Sequence, residues 1–211
     1  MIQMQPDTSN QIIVPNEPKH RHNALRDVIG IAIFVVSVIV GAFLLNNFVF
    51  QTYSVLGPSM ENTLHTGDRL LVNKLAVTVS HIEGKKYLPN RGQVIVFENP
   101  LYHVQQSEEF LVKRVIGLPG ERVVLKDGVY TIYNKENSSG FDPDKLYTGP
   151  KSPTKGEVDL TVPEGEVFVS GDNRVGEYSF DSRNGLGTVP LDLIQGPVGL
   201  RIFPLSKFRS F

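Results

Sequence analysis

One N-terminal transmembrane helix followed by an antiparallel β domain, folded as a barrel or as packed sheets, is the architecture that the sequence predicts. Two patterns predict it. A single uncharged apolar run, VIGIAIFVVSVIVGAFLL, fills residues 28–45. After Gln51 the chain breaks into short runs rich in Val, Ile, Phe and Tyr, separated by Gly, Pro, Asn and Asp. Composition agrees: 211 residues, 20% charged and 40% hydrophobic, suit one anchor and one domain with its own core rather than a disordered chain.

The elements follow in order. Residues 1–22 are polar and contain proline, and read as a cytoplasmic tail. Asn23 offers an N-cap to a transmembrane signal anchor over residues 23–50. At a rise of about 1.5 Å per residue, some 18–20 apolar residues cover the roughly 30 Å hydrocarbon layer. A core helix would carry a polar stripe, and this run has none. A cleavable leader would end in a small-x-small site, whereas here QTYSV follows. Lys19, Arg21 and Arg26 flank the N-terminal side, and the other side has no Lys or Arg until Arg69. The positive-inside bias therefore keeps the N-terminus in the cytoplasm and sends residues 51–211 across the cell membrane as a single-pass, extracytoplasmic domain. The lipid bilayer is thus an expected partner.

Within that domain the runs DRLLVNKLAV, GQVIVFE, FLVKRVIGL, ERVVLK, GVYTIYN, EVFVSG and GPVGLRIF read as strands. Lys126-Asp127-Gly128 signals a hairpin. No long helical period follows the anchor. Residues 135–156 are poor in apolar side chains and rich in turn formers, and read as a surface excursion.

Several chemistries are excluded or disfavoured. A net charge of -1 provides no basic field for nucleic acid. With no cysteine, the chain can have neither a thiolate nucleophile nor a disulfide framework. Its five histidines lie in no strong motif, and neither a Gly-x-Ser-x-Gly elbow nor a His-Glu-x-x-His pair is present. No metal or cofactor is expected.

Three segments remain. Gly57-Pro58-Ser59-Met60 is a tight bend that can present a hydroxyl just past the anchor. In residues 110–120, FLVKRVIGLPG, Lys113 interrupts an apolar strand, and alternation puts it on one face with Leu111 and Val115. The bland reading is a lysine snorkelling at a strand edge. The sharper one is a buried amine whose neutral form is favoured and can take a proton from a serine. The third, SGDNR followed by VGEY and SFDSR over residues 170–183, is dense in hydrogen-bonding side chains. It reads either as a polar loop or as a shell that orients the lysine, braced by an Asp/Arg pair.

Taken together, these segments resemble the ordered boxes of the bacterial type I signal peptidases, a family of Ser-Lys dyad serine peptidases. The resemblance runs from the anchor through Gly57-Pro58-Ser59-Met60, Thr66-Gly67-Asp68, Arg91-Gly92, residues 113–120, Gly171-Asp172-Asn173-Arg174 and Ser179-Phe180-Asp181-Ser182-Arg183 to residues 196–204. It implies a membrane-bound serine endopeptidase that cuts signal peptides from exported preproteins after small-x-small sites, with the export machinery as a further partner. Ser59 matches the nucleophile and Lys113 the general base. Ser179 matches the serine that orients the lysine, Asp181 and Arg183 a buried ion pair, and Gly171 and Asn173 a supporting loop. Val55, Met60, Leu64 and Val112 match the substrate pockets. Some members carry serine where this chain has Gly57, so here the backbone N–H groups of Gly57 and Ser59 are left to form the oxyanion hole. Residues 175–178 lengthen the link to Ser179 relative to many members. Two other readings stay open: a self-cleaving Ser-Lys peptidase of the repressor type, and a non-catalytic anchored β domain.

Overall fold

The computed structural model describes residues 24–105, 108–147, 153–176 and 178–211. The expected tail, with Lys19 and Arg21, and the expected cap Asn23 lie outside the described residues. Helix α1 (Ala24–Leu44) runs into a wider π-type turn at Leu45–Val49. The stretch Leu25–Val49 contains an 18-residue window with a mean hydropathy of 3.0 and is long and apolar enough to cross a membrane. Two of its polar side chains bond to the helix backbone. Ser37 donates to the Phe34 carbonyl (2.7 Å) and Asn47 to the Phe43 carbonyl (2.8 Å).

From Ala42 onward the chain forms one compact unit. Its elements are β1 (Phe50–Ser54), β2 (Arg69–Asn73), α2 (Leu75–Ile82), β3 (Val94–Glu98), α3 (Tyr102–Gln105), β4 (Phe110–Gly117), β5 (Arg122–Lys126), β6 (Val129–Tyr133), β7 (Val158–Thr161), β8 (Glu166–Ser170), β9 (Val189–Pro190), β10 (Ile194–Phe203) and β11 (Arg209–Ser210). The main sheet is curled and runs β1-β2-β10-β3-β4-β8-β9, with β11 on β10 and every pair antiparallel. A second sheet has the order β6-β5-β7.

The curl has a local cause in β10. Its first half, Ile194–Pro197, pairs with β3, and from Val198 it pairs with β2. The register shifts between Ile194 and Gly196 and again between Val198 and Leu200, so the strand bends as it hands over. Gly196 takes φ +150 and its Cα faces the Asn73 carbonyl, with no room for a side chain. The β5–β6 hairpin closes as its sequence predicts: Asp127 (φ 52) and Gly128 (φ 80) are the two left-handed turn residues.

Two expectations change. DRLLVNKLAV is not one strand: it stops at Asn73, whose Oδ1 accepts the Leu75 N–H (3.0 Å), and the next residues wind into α2. Nor is the 135–156 stretch purely a surface excursion. Pro143 and Thr154 are buried, and Asp144 binds the fully buried Arg174.

Three apolar clusters fill the unit. One gathers Ile95, Phe97, Val115, Val169 and Leu186. A second lies under β1 and β2, around Met60, Leu64, Leu70 and Val96. A third joins Ile116 and Phe168 of the main sheet to Val123, Leu125, Tyr130 and Ile132 of the second. Both faces of β4 are therefore covered at its C-terminal half. Phe168→Ala should remove about 3–5 kcal/mol of stability, because its whole side chain lies in that joint. Thermal unfolding of the full chain in detergent, followed by circular dichroism, measures the loss.

Candidate active site

Strand β4 carries Lys113 into the interior. Alternation turns Leu111, Lys113 and Val115 to one face, where Leu111 and Val115 join the first apolar cluster. Lys113 is left only 2% exposed. Burial pulls its amine down from the usual 10.5 to about 8. Asp181, Glu108 and Asp172 act in the opposite direction and favour the charge, while Arg183 adds slightly to the fall. Desolvation wins because no carboxylate touches the amine. Nζ lies 2.9 Å from Ser59 Oγ and 3.0 Å from the Val112 carbonyl, to which it donates.

Ser59 sits in the bend after β1. Asn173 clamps that bend from the opposite side: its N–H donates to the Ser59 carbonyl (3.0 Å) and its side-chain amide to the Pro58 carbonyl (3.1 Å). Gly57 has φ +80 and open space where a side chain would begin. Neither the Gly57 nor the Ser59 N–H donates to a backbone acceptor among the described residues. Among the described residues these two main-chain donors of the bend are thus left without a backbone acceptor, as an oxyanion site requires.

The loop after β8 supports both residues. Gly171 lies so close to the Ser59 carbonyl and to Ser179 that a β-carbon would overlap both. Asp181 and Arg183 form a wholly buried pair at 2.8 Å, and Asp181 also accepts the Gly171 N–H (2.9 Å). Ser182 anchors the same loop to β8 through its hydroxyl and backbone, both to Val169. Ser179 Oγ is buried and has no hydrogen-bond partner among the described residues, so no such bond links it to Lys113.

Sequence reading missed a second layer. Arg114, on the face of β4 opposite Lys113, grips Asp172 through Nε (2.8 Å) and Nη2, and stacks on Tyr147. Asp172 in turn accepts from Thr63 Oγ1 (2.5 Å), in the turn after the nucleophile bend. Arg174 binds Asp144 with both guanidinium nitrogens (2.8 and 2.9 Å) and the Gly171 carbonyl with Nε (2.8 Å). The signal available was the strand arginine beside Lys113 and the Asp in Gly-Asp-Asn-Arg; their pairing across 58 residues was not.

A cleft of about 470 Å³ opens over Ser59 and Lys113. Tyr53, Val55, Leu56, Phe110, Val112 and Phe180 supply much of its wall, with Glu108 and Glu109 also on the lining. Of the four expected pocket residues, Val55 and Val112 line it. Met60 and Leu64 are wholly buried in the cluster beneath, because their side chains pack against the core face of β2 and β3.

Two outcomes follow. Gly171→Ala should push the Ser59 carbonyl aside and cut turnover by about 10²-fold, the usual consequence of an ångström-scale misplacement; steady-state cleavage by a variant checked for native circular dichroism tests this. Lys113→Met should unfold at higher temperature than the parent at pH 7. The amine's folded-state pKa lies below its unfolded value, so the fold disfavours the proton that the unfolded chain keeps. That destabilisation is full below about pH 8 and fades as pH rises towards 10.5, so the gap in melting temperature should close over that window.

Residues 12–203 match the family model described as signal peptidase, peptidase S26. Signal peptidase I T of Bacillus subtilis (strain 168) is 37% identical over 183 residues, covering 83% of this chain and 86% of that protein. Signal peptidase IB of Staphylococcus aureus (strain N315) is 32% identical over 194 residues, covering 86% and 91% respectively. A crystal structure of a signal peptidase I from Enterococcus faecalis V583 aligns with 52% of this chain and 96% of that one, at 31% identity and a TM-score of 0.40. A match over nearly the whole length, at this identity, makes the chain a member of the S26 signal peptidase family and a serine endopeptidase of the signal peptidase I type.

Proposed function

We propose that this chain is a membrane-anchored signal peptidase that cuts signal peptides from exported preproteins after small-x-small sites, with Ser59 and Lys113 as a catalytic dyad. One observation carries the reading: a lysine 2% exposed, with its pKa near 8, stands 2.9 Å from a serine hydroxyl at the floor of an apolar cleft. In this reading residues 1–22 are cytoplasmic, 23–50 are the anchor, and 51–211 work outside the cytoplasm beside the export machinery.

Neutral Lys113 keeps one N–H on the Val112 carbonyl and turns its lone pair to the Ser59 hydroxyl. It accepts that proton as Oγ attacks the scissile carbonyl. The Gly57 and Ser59 N–H groups hold the oxyanion. Collapse of the tetrahedral species breaks the C–N bond, and the departing amine takes the proton from Nζ. Lys113 then removes a proton from water, whose oxygen attacks the acyl-serine and releases the peptide carboxylate with Ser59 restored. The Val112 carbonyl positions the amine, the Asp181–Arg183 pair fixes the loop that carries Ser179, and Gly171 and Asn173 hold the nucleophile bend.

The free edges of the sheet suit an extended substrate. β1 ends the sheet, and β4 pairs with β8 only from Arg114 onward, so Phe110 to Lys113 present an unpaired edge to the cleft. Val55 and Val112 narrow the walls, a fit for small side chains, and Met60 and Leu64 set the floor beneath them.

Ser59→Ala and Lys113→Ala should each lower cleavage of a preprotein with an Ala-x-Ala site by more than about 10³-fold. Activity of the parent should rise with pH through about 8, because the base works when deprotonated. Full activity in either variant, or a rise only near 10.5, overturns the dyad.

A further inference from the structure

Helix α2 presents an apolar stripe that the domain does not use. Leu75, Val79 and Ile82, spaced i, i+4 and i+7, are 46%, 43% and 80% exposed, and no residue of the helix is fully buried. The spacing puts all three on one side. A soluble domain gains nothing from turning that side to water.

What faces the stripe follows from where α2 is fastened. Thr78 Oγ1 donates to the Phe48 carbonyl (3.0 Å), and the Lys74 N–H donates to the Val49 carbonyl (2.8 Å). Phe48 and Val49 are the last residues of the apolar stretch Leu25–Val49. Lys74 Nζ also reaches Gln51 Oε1 (3.0 Å), just beyond that stretch. The helix is thus bonded to the end of the apolar segment, and the exposed Leu45, Phe48 and Phe50 extend its apolar surface. His81 in its last turn is exposed, and the exposed Lys85 and Lys86 just beyond are paired with Glu83 (3.1 Å) and Asp192 (2.5 Å). An apolar stripe joined to the exit of a span is the pattern of a helix lying at the membrane surface.

We infer that α2 is an interfacial helix, its Leu75-Val79-Ile82 stripe seated in the outer leaflet, pinning the β1–β2 end of the catalytic unit to the bilayer. The inference rests on the reading of the N-terminal helix as a membrane anchor. It adds a second attachment of the unit to the bilayer, which fixes the height of the cleft above the membrane.

The chain has no cysteine, so single introduced cysteines give unique labels. The full-length protein would be reconstituted in phosphatidylcholine–phosphatidylglycerol liposomes with an environment-sensitive fluorophore at Ile82→Cys, at Ile33→Cys within α1, or at Glu136→Cys in the turn after β6. Lipids brominated near the top of the acyl chain serve as quencher. Blue-shifted, quenched emission at Ile82→Cys and Ile33→Cys, with none at Glu136→Cys, supports the inference. Quenching at Ile33→Cys without any at Ile82→Cys overturns it and leaves the anchor standing. Quenching at neither position overturns the anchor reading and the inference with it. A blue shift at Ile82→Cys that grows with protein density but resists brominated lipid assigns the stripe to a second copy, and also overturns the inference.

Discussion

Burying the Lys113 amine without a carboxylate against it is the constraint around which the site is arranged. A lysine in water holds its proton near 10.4 and offers no lone pair at neutral pH. Here the apolar neighbours Leu111 and Val115 and the covered strand bring it to about 8. The nearby acids could undo this. Asp172 and Asp181 both pull the amine towards its charged state, yet each is engaged by an arginine, Arg114 and Arg183 respectively. Removing either arginine would leave a buried carboxylate without its counter-ion and would return charge to the lysine.

The same pairs set geometry. Asp172 ties β4, through Arg114, to the turn after the nucleophile, through Thr63. Asp181 ties Gly171 to Arg183, and Gly171 abuts the Ser59 carbonyl. The serine and the lysine lie 54 residues apart in sequence and are held on separate elements, so a 2.9 Å separation needs bracing from both sides. Buried, fully bonded ion pairs add rigidity here even where their net contribution to stability is small.

The fold positions the cleft through ordinary strand physics. β10 divides its pairing between β3 and β2 at a bulge, and the curled sheet that results turns β1 and β4 towards each other across the cleft. The unpaired edge of β4 lies there, beside the serine bend. An exposed strand edge is ordinarily an aggregation hazard. Placed in a cleft beside a nucleophile, it becomes a template for an extended peptide.

Alternating apolar runs and turn residues made most strands legible in the sequence, as did the uncharged length of the N-terminal helix. Dense, ordered motifs made Ser59, Lys113 and the loop around Asp181 legible too. β1 and β7 escaped because they are short and half exposed, with polar residues among the apolar ones, and β9 because two residues carry no period. α2 hid inside a strand-like run because Asn73 turns the chain into it through a local hydrogen bond from the Leu75 N–H that composition does not reveal. Thr63, Arg114 and Asp144 gained their roles only through partners distant in sequence. The sequence by itself determined which residues could do the chemistry and that an apolar helix precedes them. Tertiary structure alone decided that Lys113 is dry and that its nitrogen meets Ser59, because desolvation and distance belong to the packed strands and not to any one of them.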